Sequence, residues 1–85
     1  MAKYKIEINR SAAKEIKKLP QKDLKKIISK ISSLANNPRP DGCVKLSADE
    51  KYRVRVGNYS VLYEIRDSLL IVTVVKIAHR KDVYD

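Results

Sequence analysis

Apolar residues in this chain recur at every second position, then at every third or fourth, then at every second again. These changes of period predict its elements. Residues 3–8 alternate, which reads as a strand with Tyr4, Ile6 and Ile8 on one face. The spacing then becomes helical. Ser11 is positioned to cap a short helix whose apolar side is Ala12, Ala13, Ile16 and Leu19, and Pro20 ends it. A longer helix over about residues 22–35 carries the stripe Leu24, Ile27, Ile28, Ile31 and Leu34, with Lys22, Lys25, Lys26 and Lys30 around the remainder. The Asn, Pro and Gly cluster at 36–42 predicts a loop, 43–46 a brief strand, and 47–50 a turn.

From Lys51 onward the period is two. Lys51–Val56 alternates basic with apolar, Gly57-Asn58 forms a two-residue turn, and Tyr59–Arg66 alternates again. Asp67-Ser68 makes a second turn into an apolar run at 69–78. A tight hairpin at Gly57 pairs Val56 with Tyr59, Arg55 with Ser60, Val54 with Val61 and Arg53 with Leu62. Side chains alternate across a strand, so Tyr52, Val54, Val56, Tyr59, Val61, Tyr63 and Ile65 share the core face. The opposite face carries Lys51, Arg53 and Arg55, with Ser60 and Glu64 across from them. The order strand, helix, helix, then three or four strands predicts an α+β domain, with both helices on one face of a small antiparallel sheet. The N-terminal strand must join that sheet to bury its apolar side.

Composition narrows the reading. Eighty-five residues are expected to make one small domain spanning 1–85, with a thin core that a partner covering apolar surface would help. Lys and Arg number 19 against 10 acids, a net charge of +9, which favours nucleic acid or an acidic protein segment over a membrane surface. The bland alternative is a set of solubilising lysines on helix faces. Cys43 is the only cysteine, so neither an intramolecular disulfide nor a cysteine zinc site is expected. The N-terminus opens directly in strand pattern, and no run approaches the ~18 apolar residues of a membrane span. A cytoplasmic protein is the expectation.

Several chemistries lack their residues. With only Gly42 and Gly57 there is no glycine-rich phosphate loop, and no histidine or carboxylate set has metal-ligand spacing, so no cofactor is expected. What remains is cationic: Arg53, Arg55, Arg80 and Lys51, with His79 and Tyr84. That set suits RNA cleavage by an adjacent 2′-hydroxyl, because guanidinium groups stabilise the charge that builds on a pentavalent phosphorus. Arginine keeps its proton, so it clamps charge and serves poorly as a base. His79 is the one side chain in the set suited to proton transfer near neutrality. Tyr84 offers a ring for an unstacked base. Each has a plainer reading: a solvated arginine row, a surface turn histidine, a C-terminal tyrosine anchor.

The segment KYRVRVGNYSVLYEI followed by IAHRKDVY resembles the RelE branch of the RelE/ParE superfamily, the toxins of bacterial and archaeal toxin–antitoxin pairs. SAAKEIKKLP and the NPRP loop before KLSADEKY support it, and the likeness covers nearly the whole chain in order. It implies the RelE-like fold and an mRNA interferase, an endoribonuclease acting in the ribosomal A site that leaves a 2′,3′-cyclic phosphate. On this resemblance Arg53 and Arg55 hold phosphates or assist deprotonation. Arg80 stabilises charge and the leaving group, and Tyr84 stacks on the base. It also implies a cognate antitoxin in a hetero-oligomer, with ribosome and mRNA as partners and no membrane. Ser60 departs from the family pattern G-x-Y-R-V-x-Y-E, which usually has arginine there. Serine has neither charge nor forked donors, which implies a weakened or altered site. The alternatives are a ParE-like inhibitor of DNA gyrase, or a catalytically weakened toxin acting only as a binding module.

Overall fold

The computed structural model describes residues 3–46 and 51–79. In chain order these form β1 (Lys5–Ile8), α1 (Arg10–Lys18), α2 (Gln21–Ser33), β2 (Val44–Lys45), β3 (Lys51–Val56), β4 (Tyr59–Arg66) and β5 (Ile71–His79). The strands make one sheet in the order β1-β5-β4-β3-β2. All neighbours are antiparallel except β1, which runs parallel to β5 with Lys5 opposite Ile71 and Ile8 opposite Val74. A parallel neighbour cannot be reached by a hairpin, and α1 and α2 lie within the connection.

Local chemistry sets the helix ends. The cap of α1 is Asn9 and not Ser11. Asn9 is extended as the chain leaves β1, and its Oδ1 accepts from the Ala12 N–H at 2.9 Å. Ser11 lies inside the first turn. Leu19, the residue before Pro20, is forced out of helical backbone (φ −75, ψ 143), which separates the two helices. Gly57 has φ +61 while Asn58 stays negative, so the β3–β4 turn has the glycine-first form that matches strand twist. The hairpin register is the one its turn predicts, from Val56 opposite Tyr59 to Lys51 opposite Glu64.

The core lies between the helices and one sheet face. Ala12, Ile27, Ile31 and Leu34 meet Tyr52, Val54, Val61, Tyr63, Ile65, Val72, Val74 and Ile77. Fully burying each large apolar side chain contributes about 1.5–3 kcal/mol before entropic costs. Two residues expected inward are exposed. Ile8 ends the edge strand, and Ile28 follows Ile27 by 100° of helix, so both cannot face the sheet.

One irregularity governs the far side of the sheet. Leu62 pairs with Lys76 but Tyr63 pairs with Val74, leaving Val75 as an extra residue on β5. Below this bulge Val72 and Val74 point to the core, whereas above it Ile77 does.

A polar cluster ties the loop after α2 to the sheet. Arg39 donates two bonds to Asp67, at 3.2 and 2.9 Å, and its Nε donates to the Tyr52 hydroxyl at 3.1 Å. The Tyr4 hydroxyl donates to the same carboxylate at 2.6 Å, and the buried Tyr63 hydroxyl donates to the Pro38 carbonyl at 2.8 Å. The Arg39 guanidinium also sits 5.3 Å from the Tyr52 ring centroid. Hydrogen bonds from Arg39 and then Tyr4 hold the Asp67 carboxyl below its ordinary range, and burial pushes the Tyr63 phenol up.

Candidate nucleic-acid interface

Both helices cover one face of the sheet, so the functional candidates divide by strand parity. Arg53 and Arg55 point away from the helices, two residues apart on β3 and therefore roughly 7 Å apart along the strand. Arg53 is half-buried. The Nε of its guanidinium is sealed from solvent and has no hydrogen-bond partner among the described residues. Arg55 is exposed. It stands where β2 no longer flanks β3, and it borders a groove with Lys26, Ser29, Lys30, Ser33 and Val56. The two arginines thus share a face, with Arg55 at the edge of the sheet beside the groove that α2 borders.

Lys51 is exposed on the same face, opposite Glu64, whose carboxylate lies 3.6 Å from Arg66. Ser60 stands in a row between Arg55 and Ala78 and is buried, at 5% exposure. His79 is not on this face. It pairs with Tyr59 on the helix side, and its ring meets the Tyr59 ring edge-on with centroids 5.0 Å apart. Tyr59 packs against the core, and burial followed by the nearby Asp23 carboxylate raises its phenol pKa. The proton-transfer role considered for His79 is therefore separated by the sheet from Arg53. Arg80 and Tyr84 lie outside the described residues.

The outer face also carries Arg66, with Lys5 in its row, and a cation whose face the alternation misplaces. Lys76 pairs with Leu62, which pairs with Arg53, so the three form a row across β3, β4 and β5. Strict alternation from Val72 and Val74 would turn Lys76 toward the core, and the bulge reverses it. A cation at an inward phase is the signal in the sequence that the phase must shift. No group of three or more potential metal ligands occurs among the described residues, and none of their helices is long and apolar enough to cross a membrane.

This arrangement defines a small basic α+β protein that buries one face of its sheet and offers cations on the other. Comparison with known proteins gives its family. Residues 6–84 match the family model described as ParE toxin of type II toxin-antitoxin system, parDE. A Methanocaldococcus jannaschii protein named for toxin RelE1 is 34% identical, with 96% of each chain covered. Two solved structures share the fold. The archaeal RelE–RelB complex from Pyrococcus horikoshii matches with a TM-score of 0.84 at 24% identity, covering 94% of this chain and 97% of that one. The RelB–RelE antitoxin–toxin complex from Methanococcus jannaschii matches with a TM-score of 0.73 at 28% identity, covering 93% and 95%. The chain belongs to the RelE/ParE superfamily and is a type II toxin of the RelE family with the RelE-like fold.

Proposed function

We propose that this toxin is a ribosome-dependent mRNA interferase, whose substrate strand lies on the sheet face opposite the helices. The observation that supports the reading is the pair Arg53 and Arg55, two residues apart on the face of the β3–β4 hairpin opposite the core. In the reaction a 2′-hydroxyl loses its proton and its oxygen attacks the next phosphorus. The bond to the 5′-oxygen breaks, that oxygen takes a proton, and a 2′,3′-cyclic phosphate remains. Arg53 and Arg55 hold the phosphates, with Lys51 alongside. Arg80 offsets the charge that develops on the phosphorane and leaving group, and Tyr84 stacks on the base. Guanidinium groups supply charge and not proton transfer, so orientation by the ribosome must provide much of the rate.

The natural partner on this reading is a cognate antitoxin forming a hetero-oligomer, since the matching archaeal toxins were crystallised with RelB, and the site of action is the cytoplasm. A second reading, inhibition of DNA gyrase without RNA cleavage, draws on the ParE description of the family model and on Ser60 in place of arginine.

In vitro translation with the purified protein tests the choice. Cuts at codon positions only when ribosomes are present, reduced by on the order of a hundredfold in Arg53→Ala and Arg80→Ala, support the interferase. Intact message with blocked DNA supercoiling would move the assignment to gyrase. Arrest that Arg80→Ala leaves unchanged would point to a binding module.

A further inference from the structure

We infer that Lys76 is a phosphate-binding residue of the outer face, brought there by the β-bulge at Val75 to act with Arg53 on the backbone of single-stranded RNA. This deepens the interferase reading and rests on its placement of RNA on that face.

Three observations carry it. The bulge does two things at once, turning Ile77 into the core and Lys76 outward. Bulges re-aim side chains at the expense of a ladder pairing, and they concentrate beside sites that use the re-aimed residue. Second, Arg53, Leu62 and Lys76 stand in one register row over three strands. Neighbouring strands lie about 4.8 Å apart, so the two cationic residues stand about 10 Å apart across Leu62. Both long side chains can meet one phosphate or grip two successive ones over that apolar floor. Third, this row contains no carboxylate; the acid bordering Lys76 is Glu15 of α1, which shares a groove with it and with Lys14 and Lys18. In the row below, Glu64 faces Lys51 directly. Lys76 is exposed, and a lysine ammonium with three rotatable donors suits a phosphate without needing the planar fork of arginine.

The test is binding of a fluorescent single-stranded RNA oligonucleotide to the purified chain as salt is raised. A cation that contacts a phosphate adds about 0.7 to the slope of log affinity against log salt on single strands. Lys76→Ala and Arg53→Ala are each expected to lose about 3- to 10-fold in affinity at low salt and about 0.7 in slope. Lys76→Arg should retain both, and Lys25→Ala, on the exposed side of α2, should change neither. A loss of slope in Arg53→Ala without one in Lys76→Ala would overturn the role of Lys76 and leave the outer-face reading standing. Slopes unchanged in both, or no binding by the unaltered chain at low salt, would overturn the two together. Thermal melting of each variant separates lost contacts from lost fold.

Discussion

Ser60 is the residue at which the packing of the outer face and its chemistry conflict. It is buried between Arg55 and Ala78 in its row, yet it occupies the position where the family pattern usually carries arginine. An arginine here would have to thread its stem past those neighbours and release its head to solvent. Overfilling a buried position costs about 1–3 kcal/mol, while a preorganised guanidinium at a phosphorane is worth on the order of a hundredfold in rate. The second effect should dominate. Ser60→Arg is therefore expected to raise message cleavage and growth arrest on induction by tenfold or more, together with a lower Tm. Primer extension showing unchanged cleavage would remove this position from the site. Single residues were unevenly legible in the sequence. Arg53 and Arg55 were assigned to the outer face because their strand keeps strict alternation next to a glycine turn. The faces of Lys76 (outer) and His79 (helix side) are not legible, because both follow the bulge at Val75, and no glycine marks it among neighbours of the same apolar type. Asn9 is hard to read as the cap because Ser11 sits closer to the first apolar helical residue.

At the level of elements, the β3–β4 hairpin sets where both arginines stand, and its register depends on the turn. Gly57 holds φ +61 with open space where a Cβ would project, so a side chain there meets backbone strain and no clash. Gly57→Ala should cost about 1–2 kcal/mol, lowering Tm by roughly 4–8 °C per kcal/mol for a domain of this size. An unchanged melting curve would show that the turn does not restrain the hairpin. Hairpins were readable because their signal is local: a turn dipeptide between two alternating runs. The partner of β1 was not readable. Its alternation identifies a strand, but which edge it joins is decided by two apolar faces far apart in the chain meeting over the helices. The five-stranded order and the single parallel pairing follow from that encounter.

For the molecule as a whole, Arg39 and the Asp67 carboxylate together join four separate regions, at Tyr4, Arg39, Tyr52 and Asp67. Asp67 titrates below its ordinary value, about 4, in the fold, so its stabilising contribution is complete above that value. It is lost as pH falls through the lowered one. The fall in Tm on acidification below about pH 4 is expected to be smaller in Asp67→Asn than in the unaltered chain, and identical acid profiles would exclude the cluster from acid sensitivity. The pairing of β1 with β5 adds a temporal consequence. Lys5–Ile8 is synthesised more than sixty residues before its partner residues 71–74. Until then α1 lacks the strand it packs against, and the contact that completes the sheet is of high sequence separation and slow to form. The sheet of such a toxin therefore closes only once β5 has been made, after every other strand of the sheet.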